Sequence, residues 1–360
     1  MIEWLWTKER EWFDKWDTFN NSTLRGHYLQ LSDWLFSYHS YGFDNELLIG
    51  LENGEICIGY GIVKAKFFIF SFYVINYGPI VKEGYENYLE EAIGIFLKKA
   101  KKEKACYCHI NLPVLKEGTL PAALPNDILK KDSIYFTGAI GFPFTFVSSI
   151  KGFGVIDLPP ISEEDRLTKF ANPITRKNIR ISLRRGLTIV DANSDDQIQE
   201  AYRVMELNAS ERGYSIRSWE DFKECILSLH QKGFAEIAMA FRENECKGAF
   251  LFIKLNNRYT EIMGGTKKES PDIKVGSFLK WHILTKSMKA GLPWYDITTG
   301  GSPGVTEFKM SFDPTMIRFI DERHWVLSPF KYGIYVKLRP FLVRNRMVIS
   351  SFIKILKKVS

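Results

Sequence analysis

The chain has 360 residues, of which 45% are hydrophobic, 14% aromatic and 25% charged, and carries a net charge of +7. That length exceeds what one hydrophobic core usually serves, so two domains are expected and the composition is that of a globular protein. The five cysteines (57, 106, 108, 225 and 246) are odd in number and scattered, and no second pair joins Cys106 and Cys108 to make a zinc site; this points to buried, reduced thiols in a cytoplasmic protein and to no metal.

The N-terminal segment Met1 to Thr18 holds Trp4, Trp6, Trp12 and Trp16 among charged residues and lacks the pattern of a signal peptide. Leu47 to Gly78 reads as three strands in a meander, with Asn53-Gly54 as its first turn. Tyr85 to Lys102 reads as an amphipathic helix with Tyr85, Leu89, Ile93, Phe96 and Ala100 on one face, and Ala105 to Leu112 as the next strand. Two uncharged runs are poor membrane spans: Phe67 to Val81 is too short, and Ser133 to Ile150 is broken by Gly138, Gly141 and Pro143.

Helices with clear punctuation follow. Ser162 and Asp165 have capping-box spacing, Asn172 and Pro173 read as N-cap and first helical residue, and Gly186 as the residue after the C-cap. Arg166 to Arg185 contains seven basic residues and no acidic one. Within it Lys177, Arg180 and Arg184 share a helical face, a pattern for phosphate contact, although a solvated face with charges favouring the helix dipole explains it equally. Asp195 to Ser210 and Ser218 to Gln231 read as two further helices.

The first meander then recurs. Phe234 to Arg242, Cys246 to Leu255 and Arg258 to Met263 read as strands, Val275 to Ala290 as a helix and Trp294 to Thr298 as a strand, about 190 residues behind their counterparts. Pro314 to Leu327 reads as one more strand. From Lys331 to Ser360 the chain has eight basic residues and no acidic one, with Phe341, Val348, Phe352, Ile355 and Val359 at helical spacing from Pro340 onward. That tail suits either an anionic membrane surface, at the inner leaflet, or docking on the body.

The segment most suggestive of chemistry is Tyr295 to Lys309, a strand end followed by a loop with Gly300, Gly301 and Gly304 and then the Phe308-Lys309 pair. Glycines let backbone approach a ligand, and a lysine ending such a loop brings a movable ammonium there; a solvated surface lysine fits the bare pattern too. No His-Glu-x-x-His or Gly-x-Ser-x-Gly signature is present, and Lys274-Val-Gly-Ser-Phe278 has one glycine where a coenzyme A pyrophosphate loop has several.

Asp296, the glycine loop and Phe308-Lys309 resemble the C-terminal motif of the Fem family of tRNA-dependent aminoacyl- and peptidyltransferases. Tyr28-Leu-Gln30 with Trp34, Tyr77-Gly-Pro79, and Thr175 to Arg180 running on to Gly186 resemble other pieces of it, in order, over about residues 1–325. The resemblance implies a mixed α+β fold of two tandem GNAT-like acyltransferase domains, which the coarse repeat supports independently. The expected bounds are 1–155, completed by about 314–328, then 156–313, with a basic tail over 329–360.

It also implies transfer of an amino acid from charged tRNA to an amine of a peptidoglycan or lipid-linked precursor. Lys309 would stabilise the oxyanion, the Phe308 main chain would help position the acceptor, and Asp296 is a candidate base. Arg212 or Arg217 would bind substrate phosphate. Where some family members place a lysine for a nucleotide-linked muropeptide, this chain has Leu35-Phe-Ser-Tyr-His39, which argues against that soluble acceptor. Two alternatives stay open: an acyl-CoA-dependent N-acyltransferase acting on surface-glycan precursors, and a catalytically silent binding protein.

Overall fold

A computed structural model describes residues 2–124, 147, 150–170, 172–299, 302–320 and 323–344. The chain divides into two compact units, one made of Met1–Lys151 with Arg318–Ser360, the other of Gly152–Ile317.

In the first unit the order is β1 (Glu3–Thr7), α1 (Arg10–Ser22), α2 (Ser32–Phe36), β2 (Asp44–Glu52), β3 (Glu55–Phe67), β4 (Phe70–Ile75), β5 (Ile80–Val81), α3 (Leu89–Lys102) and β6 (Tyr107–Ile110). The second contains β7 (Gly152–Asp157), α4 (Glu163–Lys169), α5 (Pro173–Leu183), β8 (Thr188–Asp191), α6 (Asp195–Glu211), α7 (Trp219–Gln231), β9 (Ala235–Arg242), β10 (Glu245–Leu255), β11 (Arg258–Thr266), α8 (Val275–Lys289), β12 (Trp294–Asp296), α9 (Pro303–Met310) and β13 (Thr315–Arg318). The chain then returns to the first unit with β14 (Arg323–Val326) and α10 (Pro329–Arg344). The continuous strand expected over Pro314 to Leu327 is therefore two short strands serving two sheets, because each pairs with a different edge.

Among the described residues each unit has a seven-stranded sheet. The first runs β1-β2-β3-β4-β6-β14, with β5 on β3, and the second runs β13-β7-β12-β11-β10-β9-β8. The shared plan is strand, two helices, three-stranded antiparallel meander, helix, and a last strand parallel to the third of the meander (β4 with β6, β11 with β12). Three of the four meander turns are two residues in the left-handed region: Asn53 and Gly54, Glu243 and Asn244, Asn256 and Asn257. Asparagine and glycine tolerate that conformation, which matches the strand twist.

The helices of the plan differ in surroundings. α3 buries Leu89, Ala92, Ile93, Phe96 and Ala100 on its sheet face. α8 is buried through most of its circumference, because α5 packs on its other side. Asn172 caps α5 through a hydrogen bond from the Ile174 N–H (2.9 Å), and Pro173 follows. The helix stops at Leu183 with Arg184 as C-cap, so left-handed Gly186 lies one residue farther out than its sequence suggests.

Two of the sequence motifs of the first unit tie structure together. Gln30 is buried, and its amide donates to Asn76 Oδ1 at 2.9 Å and accepts from the Gly61 N–H. Buried Tyr77 donates to the Ala122 carbonyl at 3.2 Å. Trp34 is buried beside Tyr28, while His39 is exposed. All five cysteines are free and buried.

Candidate functional site

The site lies in the second unit, where β12 ends. Asp296, its last residue, is buried, and its Oδ1 accepts hydrogen bonds from the N–H groups of Thr298 (2.9 Å) and Gly154 (3.1 Å). Gly154 has no room for a side chain, since a Cβ there would stand 2.7 Å from the Ile297 Cγ2. Burial pushes the Asp296 carboxyl above the ordinary carboxylate range; its two N–H donors, the Arg258 guanidinium and Lys309 act in the opposite direction. Arg258 is itself buried, 5.2 Å from the Trp294 ring centroid and 5.6 Å from that of Phe153. Both donors meet Oδ1, so the carboxylate ties the end of β12 to β7 and to the turn that follows.

Lys309 does not end a loop. It occupies the last turn of α9, a helix that starts at Pro303 because proline fits the first helical position. Its Nζ donates to Thr298 Oγ1 at 2.8 Å. Thr298 holds a left-handed backbone (φ 60°), unfavourable for a β-branched residue, and that conformation lets the Asp296 carboxylate take its N–H. Burial lowers the Lys309 ammonium to about 8, while the negative charge of Asp296 favours the protonated form. The structure thus places a half-buried cation over a strained strand end. Phe308 points the other way: its ring packs toward Phe312 (centroids 5.2 Å apart, edge-on) and fills the space above Gly276, where a Cβ would be 3.4 Å from the ring.

Beneath this pair is a group the sequence reading missed. Lys280 of α8 is 0% exposed and contacts the buried Glu261 carboxylate. Its Nζ lies 3.2 Å from the Tyr295 hydroxyl, which donates to Glu261 Oε2 at 2.7 Å. A register shift in the β10–β11 pairing between Leu251 and Phe252 leaves Ile262 unpaired just beyond Glu261, and such a bulge re-aims side chains. Burial pushes the Lys280 pKa down strongly, with Lys309 adding to that fall and Asp296 opposing it. Lys280 is therefore electrostatically linked to both site residues. The one sequence signal for it is a single lysine in Phe278-Leu-Lys-Trp-His-Ile-Leu284, an otherwise largely apolar helix.

The remaining candidates are spread out. Gly300 and Gly301 lie outside the described residues. Lys177, Arg180 and Arg184 are exposed, on α5 or at its end, opposite the face that buries Thr175, Ile179 and Ser182. Arg176 turns inward instead, donating to the Phe170 carbonyl. Arg212 is exposed, with Nε donating to Asn208 Oδ1 at 3.0 Å; Arg217 is half-buried over the Phe222 ring, 4.8 Å from its centroid. The structure brings Asp296, Thr298 and Lys309 together, with Lys280 close by. Among the described residues no cluster of His, Cys, Asp and Glu forms a metal site.

Comparison with known proteins adds the class. Residues 172–310 match the acetyltransferase (GNAT) domain family. Against curated protein sequences the chain finds no match. Among solved structures it is similar to FemX, with TM-score 0.73 and 15% identity over 92% of this chain and 100% of that one. It is similar also to the C-terminal domain of a putative lysylphosphatidylglycerol synthetase from Agrobacterium fabrum (TM-score 0.54, 12% identity, 92% and 96% covered). A tandem GNAT protein from the clavulanic acid biosynthesis pathway matches with TM-score 0.50 and 11% identity, over 91% and 99% of the two chains. The domain match covers most of the second unit, and together with these structures it defines a tandem GNAT-like fold for this chain. Its two-unit fold is that of FemX, and in this sense the chain is Fem-like.

Proposed function

We propose that this protein transfers an aminoacyl group from charged tRNA to an amine of a peptidoglycan precursor or another cell-envelope peptide. The observation that carries the reading is Lys309, a desolvated cation fixed by Thr298 at the end of β12. In the reaction, the acceptor nitrogen attacks the ester carbonyl, a C–N bond forms, and negative charge collects on the former carbonyl oxygen. The Lys309 ammonium stabilises that oxyanion, and a preorganised donor in a dry site contributes several kcal/mol. The ester C–O bond then breaks, and the leaving ribose oxygen takes the proton lost by the amine. No protein base is required.

Support for this donor and acceptor comes from the FemX fold and from the lysylphosphatidylglycerol synthetase domain, whose name couples an amino acid to a lipid. The exposed cations Lys177, Arg180, Arg184 and Arg212 offer charge to tRNA phosphates. A second reading, acyl-CoA as donor to a glycan precursor, is favoured by the acetyltransferase domain match. Against it, the start of α8 has its glycine covered by Phe308 and Lys274 tied to Asp272 by an ion pair of 2.7 Å.

Anisotropy with fluorescent aminoacyl-tRNA and acyl-CoA at physiological salt tests the two. Saturable tRNA binding that prefers the charged form is expected, with each of Arg180→Gln and Arg184→Gln lowering the salt slope by about 0.7 to 0.9. Binding of acyl-CoA alone would transfer the site to the second reading. Binding of neither would leave a silent clamp.

A further inference from the structure

The hairpin joining β3 and β4 does not turn as the other meander turns do. Its counterpart between β10 and β11 uses Asn256-Asn257, whereas here the closing pair Phe67↔Phe70 is bridged by Phe68 and Ile69. Phe68 takes a left-handed backbone (φ 50°), a conformation that asparagine or glycine adopts readily and a bulky aromatic does not. Both side chains stand in solvent, 71% and 56% exposed. The fold asks for small polar residues at this tip and the sequence supplies two large apolar ones.

α10 runs beside that tip. Its buried Tyr335 packs against Phe67, Phe70 and Phe72, with ring centroids 6.0, 5.6 and 4.5 Å away, and Tyr332 stacks on Tyr107 at 5.2 Å. The sides of α10 turned from the sheet expose Phe330 (78%) and Phe341 (64%), with Val336 and Leu338 also exposed. Lys331, Lys337 and Arg339 are interspersed among them, Lys66 flanks the tip, and α10 has no acidic residue. Exposed aromatics set among cations match the interfacial zone of an anionic bilayer: rings enter at headgroup depth while ammonium and guanidinium groups meet lipid phosphate.

We propose that the β3–β4 hairpin tip and α10 together form a docking surface for an anionic lipid membrane. This holds whichever acyl donor the second unit uses. No helix among the described residues is long and apolar enough to cross a membrane, so the contact is peripheral. A hydrophobic wedge gives depth and the cations give charge selectivity. The short uncharged run beginning at Phe67 is thereby put to use without spanning anything.

The test is flotation of the full chain with vesicles of phosphatidylcholine, alone or mixed with phosphatidylglycerol. Salt-sensitive capture by the mixed vesicles only is expected. The double variant Phe68→Asn, Ile69→Gly should bind them roughly tenfold or more weakly, because binding scales with apolar area inserted. As Asn-Gly suits the turn better, the variant should fold at least as well, and an unchanged thermal unfolding midpoint verifies this. Lys337→Gln and Arg339→Gln should each cost about fivefold on mixed vesicles and nothing on neutral ones. Hydrogen exchange at residues 66–70 should slow on binding. Absence of capture, or equal capture of the Asn-Gly variant, overturns the proposal. So does a wild-type dimer that this variant dissociates, since the tip would then serve a second copy of the chain.

Discussion

The two units repeat one plan closely enough to be compared position by position, and their ionic groups differ in an instructive way. Strand register aligns Lys64↔Tyr73 in the first with Lys254↔Tyr259 in the second, and Glu46 opposite Ile62 with Glu236 opposite Phe252. In both, a glutamate on the first meander strand pairs with a lysine late in the helix: Glu46 with Lys99, and Glu236 with Lys286 at 2.6 Å. In both, the tyrosine of the third strand donates to a glutamate, Tyr73 to Glu103 and Tyr259 to Glu236. This cluster belongs to the fold, since it recurs.

One step deeper the units diverge. By the same register Glu261 and Tyr295 stand where the first unit has Ile75 and Cys108, and Lys280 stands where the helix of the first unit presents Ile93. All three of those residues belong to the apolar core of the first unit. A buried ion pair is poor support for stability when apolar residues of similar volume fill the same place elsewhere in the molecule. Its presence in the second unit alone sets that unit's interior apart from the first.

The largest effect should come from splitting that pair. Glu261→Leu leaves the Lys280 ammonium buried without its partner and should cost about 3–5 kcal/mol in urea unfolding. Replacing the group together, with Glu261→Leu, Lys280→Met and Tyr295→Phe, should bring stability back to wild type or above, by up to roughly 4 kcal/mol, while transfer activity stays low. A triple variant as unstable as the single one would show that the group is structural after all.

Next in size is Lys309→Ala, expected to lower kcat by about 10²–10³ with little change in tRNA affinity or unfolding midpoint. A fall in stability matching that of Glu261→Leu would erase the distinction between the two.

The pH profile follows. With its pKa lowered to about 8, Lys309 is charged below that pH and neutral above it, so activity that needs the ammonium should decline as pH rises through about 8. Asp296 favours the charged form, and Asp296→Asn should move this decline to lower pH. A decline unmoved by the substitution would detach Lys309 from it.

The smallest effect concerns the recurring cluster. Burial alone would raise the Glu103 carboxyl, but Tyr73 and Lys64 bring it down to about 2. The His282 contact, outweighing burial, and Lys286 bring Asp191 to about 2 as well. Carboxyls depressed in the folded state stabilise it above their unfolded pKa and lose that contribution as pH falls toward 2. Both groups are partly solvated, so Glu103→Gln and Asp191→Asn should each cost about 1 kcal/mol or less at neutral pH, and the difference from wild type should vanish by about pH 2.

Much of the fold was legible because its punctuation is local. The Asn53-Gly54 turn, the capping residues Ser162, Asn172 and Ser218, and the apolar stripe of α3 act within a few residues of where they stand. The site was legible in part. Asp296 and Lys309 belong to one sequence motif, but the helix carrying Lys309 is only eight residues long and has Pro303 and Gly304 as its first two residues, so it reads as loop. Lys280 was not legible, since whether a helical lysine meets water or a buried carboxylate depends on which face of α8 lies on the sheet, where β11 supplies Glu261 and β12 Tyr295. Arg176 shows the converse, a cation in a basic run that folds inward onto a backbone carbonyl.

The return of the chain to the first sheet has a consequence for the order of assembly during synthesis. β14 pairs with β6 across more than two hundred intervening residues, through a register of Arg323↔Ile110 to Val326↔Tyr107. The second unit, by contrast, is one uninterrupted stretch. As the polypeptide leaves the ribosome, residues 152–317 can complete their fold while the older, N-terminal unit still shows β6 as an unpaired edge, open to wrong partners. The part made first finishes last, and a chain cut short just after Ile317 would keep its second unit nearly whole and leave the other with an open seam.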